Sequence, residues 1–224
     1  TRTFRLGHKA ESDGCDIFHG LSNELPFDIK GRKAKSIVTM HDVAWLTFPD
    51  MYHWADRHIY DYKYGNSCKR ADKVIAISES TKRDVIRFYG VPEDRIEVIY
   101  QPVQEYYYSP LPQSDCDRFI REQFGEDGLP PYILYVGSIN SRKNLLGALQ
   151  ALTLIPEEQR PLLLIVGNGR EYRHECEAFI QKNHLEKYTR IETSIHNDLL
   201  LQALYTNAMA FIYPSFYEGF GLPV

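Results

Sequence analysis

Short apolar runs recur along this chain, each closing on a polar residue or a glycine and each followed by a stretch with helical spacing. Ile17-Phe18 and Ile37-Val38, inside segments 16–19 and 36–41, read as buried parallel strands. A polar and aromatic helix over 54–70 follows, then a strand over 73–77 that ends at Ser78, then a helix over 79–89. That helix stops at Gly90 with Pro92 beyond it, the expected C-terminal punctuation, and Ser78 or Ser80 serves as its cap. A fourth strand, 96–100, completes the first series.

Residues 101–113 break the rhythm. Tyr106, Tyr107 and Tyr108 stand in a row among Pro102, Pro110 and Pro112. Proline has no N–H and fixes its own φ, so the segment reads as an extended connection, with the tyrosines packing across the hinge. The pattern then restarts with a short helix near 117–124 and a strand over 132–136 that ends in Gly137. Leu145, Ala148, Leu149 and Leu152 recur at 3.6-residue spacing, and a strand over 162–166 runs into Gly167-Asn168-Gly169, a tight strand-to-helix turn. A helix over 171–182, a strand over 189–192, a helix over 198–206 and a strand over 210–213 follow.

Two such alternations predict an α/β protein with two Rossmann-like, doubly wound parallel sheets, in domains 1–108 and 109–224. Both sheets are expected to be incomplete. The first series offers about four strands against the usual six or so, and no closing helix precedes Val224.

Composition narrows the function. A net charge of -4 argues against a nucleic-acid binder, which depends on clustered cations, and 43% hydrophobic content across 224 residues is ordinary for a globular protein. No run of 18 apolar residues is present. Cys15, Cys68, Cys116 and Cys176 lie far apart with no CxxC pair, which suggests neither a zinc site nor a disulfide framework and fits a reducing, cytoplasmic setting.

Ligands of doubly wound sheets bind at the carboxyl ends of the strands. Four segments fall there: His41-Asp42, Ser78, residues 137–144 and residues 218–224. The run Tyr135-Val136-Gly137-Ser138-Ile139-Asn140-Ser141-Arg142-Lys143-Asn144 resembles the strand-Gly-x-Arg-Lys-Asn segment of family 4 glycosyltransferases, the mannosyltransferase and glycogen-synthase-like group. Pro214-Ser215-Phe216-Tyr217-Glu218-Gly219-Phe220-Gly221-Leu222-Pro223 resembles that family's E-x7-E segment, with Glu218 as the first glutamate. The second would fall two residues beyond Val224. The resemblance runs from Asp16 onwards. It departs at Ser138, where the family often has arginine, a difference consistent with a subfamily mark.

The resemblance implies a GT-B fold and a retaining transfer of a hexose, mannose first, from a GDP- or UDP-linked sugar to a glycan or lipid-linked acceptor. It implies no metal and no further cofactor. Arg142 and Lys143, with Gly137, are expected at the donor diphosphate. Glu218, Gly219, Phe220, Gly221 and Leu222 are expected at the donor sugar, with His41 and Glu218 as the catalytic pair. The chemistry suits these types. The departing diphosphate gains negative charge, so cations at a helix start, beside unpaired backbone amides, would lower the barrier. Peripheral membrane contact at the inner face is assigned to helices expected upstream of residue 1.

Plainer readings stand beside these. Arg142 and Lys143 could be a solvated helix start, Glu218 a loop carboxylate, and His41-Asp42 a turn cap beside a satisfied histidine; His19 reads as structural. A non-catalytic nucleotide-sugar-binding module is the alternative to an enzyme. A dinucleotide oxidoreductase lacks its glycine fingerprint here, an α/β-hydrolase its G-x-S-x-G elbow, and a glycosidase would need a positioned carboxylate pair.

Overall fold

A computed structural model describes residues 2–223. The chain divides into two compact units, one of residues 1–102 with 218–221 and the other of residues 103–217 with 222–224.

The first unit carries α1 (Arg2–Ser12), β1 (Ile17–Gly20), β2 (Lys35–Met40), α2 (Ala44–Thr47), α3 (Trp54–Arg70), β3 (Lys73–Ala76), α4 (Glu79–Tyr89) and β4 (Ile96–Val98). Its four strands are parallel in the order β1-β2-β3-β4, with Ile37 opposite Lys73 and Val74 opposite Ile96. Val38, Met40, Val74 and Ala76 are fully buried and pack against Trp45, Cys68 and Val85. At the start of α4, Ser78 is the cap, its hydroxyl accepting from the Thr81 amide at 3.0 Å; Gly90 ends the helix in the left-handed region.

The second unit carries α5 (Gln113–Phe124), β5 (Tyr132–Val136), α6 (Leu145–Thr153), β6 (Leu162–Val166), α7 (Glu171–Lys182), β7 (Thr189–Glu192), α8 (Asp198–Asn207) and β8 (Ala210–Phe211). Its sheet is again all parallel, in the order β7-β6-β5-β8. β5 and β6 are the central pair, and Leu134, Tyr135, Leu164 and Ile165 have no exposed surface. One face packs on α6 and α7, the other on α5 and α8. Each central side chain contributes about 1.5–3 kcal/mol through burial.

Three expectations need correction. The 101–113 connection is not extended throughout, because 105–108 coil into a 3-10 turn. Proline restrains only its own φ and the residue before it, and none of the prolines lies inside that turn. The helix expected near 117 begins at Gln113, directly after Pro112. Strand pairing ends early twice, at Val98 rather than Tyr100 and at Phe211 rather than Tyr213. Two helices, α1 and α2, were not among the elements expected from the sequence.

Candidate functional site

In the second unit, two loops beyond the sheet's carboxyl ends are laced together. Residues 141–143 form a 3-10 turn, and Asn144 sits in the left-handed region before opening α6. Asparagine tolerates that conformation better than most residues. Asn144 uses both ends of its amide, accepting from the Gly147 N–H at 3.2 Å and donating to the Pro214 carbonyl at 3.2 Å. The Phe216 amide donates to the Arg142 carbonyl at 2.9 Å, and the Arg142 guanidinium donates to the Tyr217 carbonyl at 2.5 Å. The Lys143 ammonium donates to the Tyr213 hydroxyl and lies 4.6 Å from the centre of that ring. The 137–144 segment singled out from sequence therefore meets residues 213–217, the stretch that leads into Glu218.

Gly137 belongs to the same cluster. A Cβ there would come within 3.2 Å of Lys143 Cδ, so any larger residue would push the lysine stem aside by a few tenths of an ångström. The Gly137 carbonyl in turn presses on the Cα of Gly167, and the Ile139 carbonyl on that of Gly169. Gly167-Asn168-Gly169 is thus a close-packed turn. Ile139 donates its amide to the Asn168 carbonyl at 2.7 Å and pairs with Gly169 as a parallel bridge, prolonging the β5–β6 register into the loops. Ser138 is exposed and accepts from Asn140.

The expected pool of unpaired amides at the opening of α6 is smaller than the sequence suggested. Lys143 N–H goes to the Asn140 side chain, Gly147 N–H to Asn144, and Leu146 N–H to the Tyr172 hydroxyl. Arg142 and Lys143 also precede the helix by a 3-10 turn rather than beginning it. The cations themselves, more than the helix end, carry the positive character here.

The ring of Tyr213 stacks on Phe211 at 5.8 Å, which meets Tyr205 at 5.1 Å, which meets Tyr107 at 6.3 Å. Burial, and behind it the neighbouring Tyr107 and Tyr213, push the Tyr205 phenol well above its ordinary range, so that member of the stack is neutral. Gln202, buried on α8, donates to the Tyr106 and Ser109 carbonyls at 2.8 Å each and ties the 3-10 turn to this unit.

In the first unit, residues 218–221 seat against the carboxyl ends of β2 and β3. The Gly219 carbonyl accepts from Ser78 Oγ at 2.5 Å and Thr81 Oγ1 at 3.2 Å. A Cβ at Gly219 would run into the His41 carbonyl, so only glycine permits this approach. Phe220 meets Tyr100 at 5.8 Å, and Gly221 takes a positive φ. Glu218 is half-buried, while Leu222 is exposed and groups with the second unit.

His41 has its ring fully engaged. Nε2 lies 2.8 Å from the Leu21 carbonyl, which can only accept, and Nδ1 lies 3.3 Å from Gln101 Nε2. Beside the Gln101 amide Nδ1 accepts and Nε2 donates to the Leu21 carbonyl, so the ring is fixed from both sides. Its amide donates to Asn23 Oδ1 at 2.7 Å, and Asp42 accepts from the Ala44 amide at 3.2 Å. The satisfied histidine and the turn-capping aspartate weighed from sequence are both present. His19 pairs with Thr39 Oγ1 at 2.8 Å and lines a groove of about 170 Å³ with Leu21, Ser22 and Glu24.

Tyr213, Thr81, Asn23 and Gln101 were not singled out from sequence as partners of the site. Tyr213 had a signal, a phenol ending an apolar strand. The others had none, because their partners lie 18 to 138 residues away. A cavity of about 480 Å³ opens elsewhere, at the amino end of β5 among Gln113, Asp117, Tyr132 and Met209. It is remote from these loops.

Comparison with known proteins agrees with the two-part reading. Residues 2–105 match the model of Glycosyltransferase Family 4, and residues 117–224 that of Glycosyl transferases group 1. The chain is 33% identical over 213 residues to O-antigen chain mannosyltransferase B of Escherichia coli, covering 93% of this chain and 53% of that protein. O-antigen chain mannosyltransferase RfbU of Salmonella typhimurium is 27% identical, with 83% and 47% covered. The chain thus spans about half the length of these relatives. Among solved structures, WaaG, a glycosyltransferase involved in lipopolysaccharide biosynthesis, superposes with a TM-score of 0.71 at 18% identity, over 97% of this chain and 58% of that one. The Anabaena Alr3699/HepE complex with UDP-glucose gives 0.70 at 17% identity, over 94% and 56%. With two parallel sheets, the paired loops and both domain models in register, the chain belongs to the family 4 glycosyltransferases of GT-B fold.

Proposed function

We propose that this chain carries the donor site of a retaining hexosyltransferase that moves mannose, in the first instance, from a nucleoside-diphosphate sugar to a glycan or lipid-linked acceptor. The observation that carries this reading is the lacing of 141–144 to 213–217, which gathers two cations beside glycine-lined backbone at the carboxyl end of a parallel sheet. The mannosyltransferases of O-antigen assembly among its relatives support mannose, and a neighbour bound to UDP-glucose keeps UDP-sugars in view.

In this proposal Lys143 neutralises the diphosphate, and Arg142 both adds charge and holds the Tyr217 carbonyl just ahead of Glu218. Glu218 accepts hydrogen bonds from the donor sugar, with residues 219–222 forming the wall beside it. His41 acts on the donor sugar as a hydrogen-bonding group, its Nε2–H turning from the Leu21 carbonyl to a sugar hydroxyl. The anomeric C–O bond breaks with its electron pair passing to the phosphate oxygen. The acceptor oxygen bonds to the same carbon from the leaving group's face, and its proton goes to the diphosphate. No metal is assigned a part. The setting proposed is the cytoplasm at the inner membrane face; among the described residues no helix is long and apolar enough to cross a membrane.

The test is calorimetric binding of GDP-mannose and UDP-glucose, with nucleotide release as the turnover assay, on the wild type, Lys143→Ala and Glu218→Ala. Binding of one donor that Lys143→Ala weakens by about tenfold or more supports the reading. A folded chain that binds neither sinks it.

A further inference from the structure

We infer that Tyr213 is a second diphosphate-binding residue, acting with Lys143 as a two-point anion clamp; this rests on the donor-site reading above. Three features converge on its phenol. First, the hydroxyl accepts from the Lys143 ammonium, which stands 4.6 Å from the ring centre, off the hydroxyl end of the ring, so the phenol oxygen fixes the cation. Second, the ring is itself held by stacking on Phe211, which Tyr205 supports, so the hydroxyl is a fixed post. Third, the Lys143 stem is confined on its other side by Gly137.

The consequence is chemical. A hydroxyl that accepts from an ammonium still has its own hydrogen to donate, and the adjacent cation polarises it. An anion that approaches Lys143 Nζ meets that O–H beside it. The pair thus offers a charge and a directed neutral donor to neighbouring phosphate oxygens, and preorganised donors cost no rearrangement when the leaving group gains charge. A lysine alone is a flexible point charge. Tyr213 converts it into a site with direction.

The experiment compares wild type, Tyr213→Phe, Lys143→Ala and Lys143→Arg, titrated with GDP and UDP and with the corresponding nucleosides, guanosine and uridine. Phenylalanine keeps the ring and its stacking on Phe211 and removes only the hydroxyl. Tyr213→Phe should weaken the preferred diphosphate about tenfold, as for a hydrogen bond to a charged group, and leave the nucleoside within twofold. Lys143→Ala should lose more, and Lys143→Arg should restore part of it, because guanidinium still reaches the phenol. Unchanged diphosphate affinity in Tyr213→Phe, with loss in Lys143→Ala, overturns the clamp and leaves the donor site standing. Equal loss of nucleoside and diphosphate in Tyr213→Phe also overturns it, since that is a packing defect. A wild-type chain that binds no diphosphate overturns both.

Discussion

The stem of Lys143 lies against the Cα of Gly137, six residues earlier, where a Cβ would sit 3.2 Å from Lys143 Cδ. Gly137→Ala should therefore act mainly on ligand binding. The contact is with a flexible side chain, which can swing aside, but swinging carries the ammonium off Tyr213. Diphosphate affinity should fall several-fold while thermal stability drops by about 1 kcal/mol from the positive φ. Calorimetry beside thermal denaturation separates the two. A variant that unfolds without touching affinity would contradict this placement of Lys143.

Gly219→Ala meets rigid backbone. The new methyl would collide with the His41 carbonyl, and relieving that collision would break the bonds from Ser78 and Thr81 to the Gly219 carbonyl. Two hydrogen bonds, each worth about 1 kcal/mol net, and the contact they hold would be lost together. Amide exchange and limited proteolysis should show residues 216–222 opening, with Ser78 still capping α4 through the Thr81 amide. Unaltered protection in that segment would argue that 218–221 do not seat on His41.

The His41 tautomer can be read directly. With Nε2 donating to the Leu21 carbonyl and Nδ1 accepting from Gln101, long-range nitrogen–proton spectra at pH 8 should show a pyrrole-type Nε2 and a pyridine-type Nδ1. The opposite pattern would refute the arrangement. Gln101→Leu should leave the Nε2 signal in place and shift Nδ1.

Most of the framework was legible because parallel strands and amphipathic helices leave strong marks. The bounds of α3, α4 and β5 through β7 follow from caps, glycines and apolar runs in the chain itself. α1 was passed over: among its described residues the buried ones are Gly7 and Ala10, small side chains that carry little apolar weight, and Gly7 is pressed so closely on Asp28 that a Cβ would lie 2.6 Å from its carbonyl oxygen. The cations of the site were legible through their spacing, but the work of Asn144, Tyr213 and Thr81 was not. Each acts across a gap of scores of residues, and local pattern carries no record of such partners.

Gln202 gives a stability prediction. Its amide nitrogen bonds two carbonyls of the connecting segment, and it is 4% exposed. Gln202→Ala leaves those carbonyls without their donor and opens a gap under Tyr106, at a cost of about 2 kcal/mol. Chemical denaturation measures it. Protease cleavage within 103–112 should accelerate in the variant, and cleavage elsewhere should not.

Acid should unfold the first unit by way of two aspartates. At Asp72 the Ser36 amide, outweighing burial, and then the Ser36 hydroxyl hold the carboxyl below its usual range. At Asp28 burial pushes the other way but is outweighed by the His8 and Gly7 amides, with Arg32 adding to them. Both folded-state values lie below those of the unfolded chain, so the unfolded state binds protons first. Their contribution is complete above the ordinary aspartate value of about 3.9 and is lost progressively as the pH falls from there through the lower folded values. Both groups are partly exposed, so the effect of each is modest. Asp72→Asn with Asp28→Asn should lower stability at pH 7 and flatten its decline between about pH 4 and 2. If the double variant declines as steeply as wild type, the carboxylates that govern acid unfolding lie elsewhere in the chain.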